Sequence, residues 1–318
     1  MAPSPTTSSI RVTHRTERSF ASTILQGTLR LCRGYLISIP TVARGSIKLS
    51  PPSLSRCQVE VREICNIHIY DISLKEPSKP ECRRRIYYIA GGSWQMPPGR
   101  QHWMTGAQLV QDLEDTEFSI VSVPLAQHTP APKAWPQLLE VYEELMKLSA
   151  TAGEKVIWAG DSSGGNLVLC LTIDALKTFP QVKAPDAVLA ICPSIDLTRD
   201  NPQIQVVDSD EPILTMASIQ QSAKAWAGEW NRKDPRLSPI FADLTMLKEK
   251  GVKVHGVTAG YDLLGPDGLL FRQKCQDVGV EGEWLEWDKQ MHVFPLTWMF
   301  LHEGKEGLHW IVDVLARV

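Results

Sequence analysis

The sequence lacks the features that mark several broad classes of protein. No run of about 18 consecutive apolar residues occurs, so we expect no helix that spans a membrane. The net charge is −3 and no basic face with interleaved aromatic residues is present, which argues against nucleic acid as a partner. The amino terminus has no charged stretch followed by an apolar core, so we expect no secretory signal.

The seven cysteines form neither a disulfide framework nor a recognisable ligand set. They are odd in number and scattered, without a C-x-x-C pair, which is typical of a reducing compartment. We therefore expect a cytoplasmic protein. The last residues, Ala316-Arg317-Val318, are only weakly similar to a peroxisomal address, and a chance ending is the better interpretation. Since H-E-x-x-H, EF-hand and G-x-x-x-x-G-K motifs are also missing, the sequence predicts no metal and no cofactor.

The composition is that of an ordinary globular protein. The chain has 318 residues, of which 43% are hydrophobic and 22% charged, enough for one large domain with an additional subdomain. Segments that resemble strands alternate with segments that resemble helices. This pattern predicts an α/β fold with a mostly parallel central sheet and helices on both faces. Alternation around residues 59–70 predicts early strands that are partly antiparallel.

Three regions are expected along the chain. Residues 1–17 are rich in Ser, Thr and Pro, and we predict that they are disordered. Residues 18–52 are predicted to hold a helical cap, because apolar residues recur at helical spacing there. We favour a helix packed over the domain's own pocket; the alternative, a helix on a membrane surface, is supported by Arg30, Arg33 and Arg44. The main domain is predicted at 53–318, with a lid-forming insertion at about 199–240.

A strand–turn–helix pattern surrounds Ser162. The apolar strand candidate 155–159 runs into Gly-Asp-Ser-Ser-Gly-Gly-Asn, and an apolar helix candidate follows from Leu167. A G-x-S-x-G turn in this context is a nucleophile elbow, in which glycines permit a tight reversal and the serine hydroxyl projects from the sheet. The alternative, a serine in an ordinary turn, becomes unfavourable because of the strand and helix on either side.

A general base and an acid are available later in the chain. Asp262 follows a predicted strand, and His292 follows the last predicted strand, so the order is Ser, acid, His. Asp262 alone is also compatible with a turn or helix cap, and His292 alone with a surface histidine. Together, and each at a strand end, the three residues predict a Ser162–His292–Asp262 catalytic triad.

An oxyanion hole is expected beside Ser162. The glycine-rich segment 89–94 follows an early strand, so the backbone at Gly91, Gly92 and Ser93 can turn toward the serine hydroxyl. The amide of Ser163, next after the candidate nucleophile, is the other predicted donor. An ordinary structural turn is the alternative for the two glycines.

The chain resembles the hormone-sensitive-lipase-like branch of the α/β-hydrolases, the esterases with H-G-G-G and G-D-S-A-G-G motifs. The resemblance covers roughly 80–318 and is carried by Gly91-Gly92, the Ser162 segment, Asp234-Pro-Arg-Leu-Ser-Pro, Tyr261-Asp262 and His292. It implies an α/β-hydrolase fold with an amino-terminal helical cap and an inserted cap segment. It also implies cofactor-free hydrolysis of small to medium, often lipophilic, esters, with oxyanion donors at the amides of Gly92, Ser93 and Ser163.

The oxyanion motif departs from the family pattern. Ala90-Gly91-Gly92-Ser93 stands where the family has H-G-G-G. The family's histidine orders the loop, so activity is expected to survive its loss. The variant loop resembles those of fungal hydrolases that act in secondary-metabolite pathways.

The sequence contains ten tryptophans, and three of them are candidate pocket walls. Trp94, Trp103 and Trp226 fall in segments expected near the pocket or lid, where rigid aromatic walls suit a bulky apolar ligand. The alternative is that they fill the core, as most tryptophans do.

Three functional hypotheses remain open. The first is a serine esterase that acts on a small-molecule ester, with homodimerisation also considered. The second uses the same site for elimination, acyl transfer or cyclisation, because the same groups serve these reactions. The third is a non-catalytic small-molecule receptor, which we rank last because Ser162, Asp262 and His292 are all present.

Overall fold

The computed structural model describes residues 8–77, 83–113 and 115–318. The strands of these residues are β1 (Ile10–Arg15), β2 (Cys57–Ile64), β3 (Ile67–Leu74), β4 (Arg84–Ile89), β5 (Thr116–Ser122), β6 (Lys155–Asp161), β7 (Ala187–Ile191), β8 (Lys253–Tyr261) and β9 (Gly282–Met291). The helices are α1 (Phe20–Leu36), α2 (Arg100–Asp112), α3 (Ala131–Ala152), α4 (Ser162–Thr178), α5 (Gln203–Val207), α6 (Met216–Ala227), α7 (Thr245–Glu249), α8 (Gly265–Val278) and α9 (His302–Ala316). Short 3₁₀ turns lie at Pro239–Phe241 and Phe294–Thr297.

All the described strands belong to one sheet. Its order is β1-β9-β8-β7-β6-β4-β5-β3-β2. β3 is antiparallel to β2 and to β5, whereas the other neighbours are parallel. The predicted mostly parallel sheet with partly antiparallel early strands is therefore confirmed. The β2–β3 turn places Cys65 and Asn66 at φ 50° and 58°, the left-handed geometry that matches the twist of a tight hairpin.

The central strands are apolar on both faces because helices cover both. On one face Tyr87 of β4 and Trp158 of β6 pack with residues of α3, α4 and α8. On the other face Ile86 and Ile157 pack with residues of α2 and α9. Successive side chains of a strand point to opposite faces, so each strand contributes to two cores. This arrangement leaves the carboxyl ends of the parallel strands at one edge of the sheet.

The amino-terminal segment differs from the prediction. Residues 1–7 of the segment predicted to be disordered lie outside the described residues. Residues 10–15, however, form β1, which pairs in parallel with β9, and Ile10 is buried. The prediction of disorder is wrong for this strand. The Ser/Thr/Pro-rich composition hid a short alternating stretch whose partner lies at the far end of the chain.

Two helices have distinctive first turns. α2 begins at Arg100, and the His102 ring accepts a hydrogen bond from the Gly99 amide, which caps its first turn. α3 begins at Ala131, and Pro136 lies inside it. Pro136 lies in the second turn, where its missing amide leaves the Pro132 carbonyl without its helical donor.

Two segments lie over the carboxyl edge of the sheet. α1 runs beside the end of β9, where Gln26 Nε2 donates to the Lys289 carbonyl at 3.2 Å. The insertion between β7 and β8 carries α5, α6 and α7. Arg33 of α1 donates to the carbonyl oxygens of Asp208 and Glu211 in that insertion, at 2.7 and 3.2 Å. The two segments therefore contact each other above the strand ends.

Candidate active site

Ser162 lies at the sharp turn between β6 and α4. Its φ is 53°, a left-handed conformation that is unfavourable for a residue with a side chain. The turn requires glycine at its flanks: a Cβ on Gly164 would lie 1.9 Å from the Ile89 carbonyl oxygen, and one on Gly160 would lie 2.6 Å from the Gly164 carbonyl carbon. The local sequence therefore holds the serine hydroxyl above the sheet at the start of a helix.

A continuous chain of hydrogen bonds links Ser162, His292 and Asp262. The Ser162 Oγ lies 2.9 Å from His292 Nε2, and His292 Nδ1 lies 2.8 Å from Asp262 Oδ2. The other oxygen of Asp262 accepts from the Leu264 amide at 2.9 Å. In the neutral ring, Nδ1–H donates to the carboxylate and Nε2 accepts from the serine hydroxyl. The fold thus brings together three residues that the sequence places on separate strand–helix units.

Electrostatics favour proton acceptance by His292. Burial acts to lower the pKa of the ring, but the hydrogen-bonded carboxylate of Asp262 outweighs it, so the pKa of His292 is raised above its ordinary value of 6.5. Glu211 and Asp161 add smaller contributions in the same direction. A base with this environment can hold the proton of a serine hydroxyl while Asp262 stabilises the resulting cation.

Two further ionisable residues, Cys192 and Glu211, lie close to Asp262, and no sequence pattern indicated either of them. The atoms Cys192 Sγ, a carboxylate oxygen of Asp262 and a ring nitrogen of His292 lie within 4.8 Å of one another. Burial and then Asp262 raise the pKa of the Cys192 thiol well above its ordinary value, which keeps it neutral. Within the described residues these three side chains are also the group that could hold a metal ion. Their hydrogen bonds to one another and to Ser162 already account for the arrangement.

Glu211 connects the insertion to the turn that carries Asp262. Its side chain is fully buried and accepts from the amides of Ile213 at 2.6 Å and Leu214 at 3.0 Å. The second carboxylate oxygen accepts from the Leu263 amide at 2.9 Å. Burial, and next the Asp262 charge, raise the pKa of Glu211 to about 7. No periodicity distinguished this residue from the neighbouring acidic residues of the same segment.

The predicted oxyanion loop lies beside Ser162 with a strained backbone. Gly92, Ser93 and Trp94 have φ values of 138°, 58° and 57°. A Cβ on Gly92 would lie 2.8 Å from the Met96 carbonyl oxygen, so glycine is required there. Gly91 does not fit the predicted donor set, because its amide donates to Asp161 Oδ1 at 2.8 Å. The amides of Gly92, Ser93 and Ser163 remain the predicted donors.

Asp161 holds this loop in place. Its Oδ1 accepts from the Tyr88 hydroxyl at 2.6 Å as well as from the Gly91 amide, and lies 3.3 Å from His102 Nε2. Because His102 Nδ1 accepts from the Gly99 amide, Nε2 carries the proton and faces Asp161. Burial alone would raise the pKa of Asp161, but His102 and the other donors hold it below the ordinary value. His102 from α2 thus supports the loop although Ala90 stands in place of the family's histidine.

A cavity of about 320 Å³ opens beside the Ser162 hydroxyl. Gly92, Ser93, Ser162 and His292 form its polar side. Its apolar walls are Ile37, Met96, Pro97, Ile213, Leu214 and Leu296. Ile37 follows α1, and Ile213 and Leu214 belong to the insertion, so both segments over the sheet edge help to enclose the cavity.

The three tryptophans predicted to bind substrate do not line this cavity. Trp103 packs edge-on against Tyr70, with ring centroids 5.4 Å apart. Trp94 and Trp226 stack on each other, with centroids 6.1 Å apart and planes 2° from parallel. All three side chains are buried, so the substrate-binding prediction is wrong. Their large apolar rings fill the packed layers around the site instead.

Comparisons with known proteins agree with this architecture. A family model described as the alpha/beta hydrolase fold matches residues 86–296. The chain is 27% identical to the hormone-sensitive lipase of Mus musculus over 152 residues, which are 47% of this chain and 20% of that protein. It is 24% identical to an esterase of Gibberella moniliformis over 222 residues, or 67% of each chain. The chain thus spans about a fifth of the length of the mouse lipase that it matches.

Among solved structures, a crystal structure of an esterase from the bacterial hormone-sensitive lipase family has the same fold. Its TM-score is 0.78 at 19% identity, and the match covers 95% of this chain and 99% of the other.

Proposed function

Because the chain belongs to the α/β-hydrolase family, in its hormone-sensitive-lipase-like branch, we propose that it is a serine esterase of small to medium lipophilic carboxylic esters. The observation that carries this proposal is the hydrogen-bonded chain from Ser162 through His292 to Asp262, which opens into an apolar cavity. The proposal assigns Ser162 as nucleophile, His292 as base and Asp262 as the residue that orients the ring.

The reaction follows from these positions. His292 Nε2 takes the proton of the Ser162 hydroxyl as the oxygen attacks the ester carbonyl. The amides of Gly92, Ser93 and Ser163 stabilise the oxyanion, and the amino-terminal end of α4 adds a favourable dipole. His292 then protonates the leaving alcohol, and an acyl-enzyme forms on Ser162. A water molecule deprotonated by His292 releases the acid and restores the serine.

The cavity bears on the size of the substrate. A volume of about 320 Å³ lies at the small end of ligand pockets, which span roughly 300–1,000 Å³. Ile37 on one side and Ile213 and Leu214 on the other close it with apolar surface. We therefore propose that residues 18–52 and 199–240 act as the cap, and that short acyl groups are preferred over long ones.

The setting of the reaction is part of the proposal. The six described cysteines are free, which supports a reducing compartment such as the cytoplasm. Ala90 and Ser93 in the oxyanion loop support a specialised substrate, because Ser93 adds a hydroxyl to the cavity wall. A secondary-metabolite pathway is our proposed context, and the fungal esterase relative is in keeping with it.

The test compares wild-type protein with Ser162→Ala on p-nitrophenyl acetate, butyrate, octanoate and palmitate. We expect hydrolysis that is fastest for the short chains and that falls by roughly four orders of magnitude or more in the variant. Ser209→Ala, at an exposed serine of the insertion, is the matched control and should retain full activity. Hydrolysis that survives Ser162→Ala would exclude the mechanism.

Covalent labelling separates ester hydrolysis from other uses of the same site. A fluorophosphonate probe should label the wild-type protein and fail to label Ser162→Ala and His292→Ala, because labelling needs an activated serine. Labelling without hydrolysis of any ester would point to acyl transfer or another pathway reaction. The absence of both labelling and hydrolysis would favour a ligand receptor.

A further inference from the structure

The outer face of α1 is unusual for a helix that packs on its own domain. Its inner face is engaged: Ser22 and Gln26 are buried, and Leu25 and Leu29 pack against the core. The opposite face of such a helix is ordinarily polar. Here it carries Phe20, Ile24, Leu31 and Tyr35, which are 79%, 55%, 88% and 90% exposed. Since these residues are spaced by four, seven and four, they form one apolar stripe, which we call the α1 stripe.

The segment around the α1 stripe is also exclusively basic. Between residues 18 and 59 the sequence contains no Asp or Glu. It contains six basic residues, Arg18, Arg30, Arg33, Arg44, Lys48 and Arg56. Of these, Arg33 is bound to the insertion through Asp208 and Glu211. Arg30 and Arg44 are the arginines that we take to be available to an outside partner.

The α1 stripe lies on the edge of the sheet where Ser162 is exposed. Gln26 contacts the Lys289 carbonyl, just before His292, and Ile37, which follows the helix, lines the catalytic cavity. The chain then continues along the same edge: Ser46 Oγ donates to the carbonyl of Ser122, the last residue of β5, at 2.6 Å. Arg44, two residues before Ser46, is therefore near the same carboxyl edge of the sheet as α1.

From these observations we infer that α1 docks the protein on an anionic lipid surface, with the α1 stripe in the headgroup region and Arg30 and Arg44 against lipid phosphates and carboxylates. Phe, Leu and Tyr side chains beside arginines are the composition of interfacial helices. Within the described residues, no helix is long and apolar enough to cross a bilayer. A 17-residue helix of this kind lies in the interface plane.

Charge favours lipid over a second copy of the chain. A twofold contact through the α1 stripe would bring the same residues of two copies together. Such a contact would gather the basic residues of both copies, because the segment has no acidic residue of its own and Asp208, which lies against α1 on the insertion, is already paired with Arg33. An anionic membrane meets the same basic residues with opposite charge. Such lipids are enriched in the cytoplasmic leaflet, which is consistent with the compartment proposed above.

The test measures co-sedimentation with vesicles of phosphatidylcholine alone or with about 30% phosphatidylserine. Wild-type protein should bind the anionic vesicles and release them as salt is raised. Leu31→Glu with Tyr35→Glu should weaken binding at least about tenfold, because two apolar side chains become anionic. Arg30→Gln with Arg44→Gln should weaken it by roughly fivefold for each arginine. Both pairs are exposed, so we expect folding to be unaffected.

Leu148→Glu is the matched control. Leu148 is 47% exposed near the carboxyl end of α3, which leads into the amino end of β6 on the opposite edge of the sheet. This variant should bind vesicles like the wild type. Vesicle binding is measured without a substrate, so its outcome does not depend on whether the protein hydrolyses esters.

Two results would overturn the inference. One is wild-type protein that binds neither kind of vesicle. The other is binding that the stripe and arginine variants leave unchanged. Sedimentation velocity without lipid identifies the competing occupant: a dimer that Leu31→Glu with Tyr35→Glu converts to a monomer, together with no vesicle binding, would assign the α1 stripe to a second copy.

Discussion

Two buried aspartates flank Ser162, and their surroundings differ. Asp161 accepts from the Tyr88 hydroxyl and the Gly91 amide and faces His102, whose other ring nitrogen is occupied by the Gly99 amide. Asp262 faces His292, whose other ring nitrogen meets the Ser162 hydroxyl, and it lies close to two more ionisable groups, Cys192 and Glu211. The same side chain therefore fixes a backbone loop on one side of the serine and tunes a base on the other. The partners of each aspartate, rather than its residue type, decide which of these two roles it has.

The largest loss of activity is expected from Asp262→Asn, which changes the residue that orients the base, His292. An amide there does not stabilise the His292 cation and favours the wrong tautomer, so kcat should fall by roughly 10⁴. The acidic limb of the pH–rate profile should move to lower pH, because the carboxylate that raises the pKa of His292 is gone. Asp267→Asn, at another buried aspartate just beyond β8, is the control and should stay within a few-fold of wild type.

Asp161→Asn tests the residue that holds the predicted oxyanion loop and should cause the next largest loss of activity. Gly91, Tyr88 and His102 all contact Oδ1, and a neutral amide oxygen accepts from them more weakly than a carboxylate, so the loop is held less firmly and kcat should fall by roughly 10²–10³. The pH profile should move less than in Asp262→Asn, since Asp161 contributes less to the pKa of His292.

The control for this experiment is Asp174→Asn, at an aspartate of α4 that accepts from the Trp135 indole. If Asp161→Asn shifted the pH profile as far as Asp262→Asn, the proposed division of labour between the two aspartates would be incorrect.

Glu211→Gln should affect stability more than turnover. Gln can no longer accept from Ile213, Leu214 and Leu263 with two oxygens, which should cost about 1–3 kcal/mol of the free energy of unfolding. The pKa of Glu211 is raised from 4.5 to about 7 in the folded protein, so the wild type should lose stability as pH rises across that interval.

The variant should remove this pH dependence, which urea denaturation at several pH values between 4.5 and 7 can measure. Glu229→Gln, at an exposed glutamate of the insertion, should retain it. An unchanged slope in Glu211→Gln would contradict the assignment of a buried, protonated carboxyl group.

Cys192→Ala should have the smallest effect. The raised pKa of the thiol keeps it neutral, so it offers Asp262 only a weak donor. We expect kcat/KM to fall by less than about tenfold, and Cys192→Ser to recover part of the loss. A fall as large as that of Asp262→Asn would mean that Asp262 and His292 require Cys192 for their role in catalysis.

Much of the fold was accessible from the sequence, because its signals are local. Apolar runs separated by turns predicted the parallel strands, and glycines at 160 and 164 predicted the elbow at Ser162. The strand β1 was missed because six residues in a Ser/Thr/Pro-rich segment carry little signal without their partner β9. The tryptophans were misplaced because residue type indicates a large apolar side chain but not which layer it fills.

The same difference between local signals and long-range contacts applies to the residues of the candidate active site. Chain order and strand ends indicated Ser162, Asp262 and His292 as candidates. Asp161, His102 and Glu211 were not indicated, since each acts through a contact with a distant segment. Glu211 illustrates the limit, because it is fully buried whereas Asp210 beside it is exposed. No pattern in the sequence separates the two.

The sequence by itself determined the elements, the alternation of faces and the strained turn at Ser162, because backbone geometry and side-chain periodicity act over a few residues. Only the tertiary structure decided which groups meet at the carboxyl edge of the sheet. Strand order there is set by the packing of two cores at once, and it is this order that places His292 against Ser162 and Asp161 against Gly91. Hydrogen bonds between distant segments exist only after that packing has formed, so they leave no local trace in the sequence.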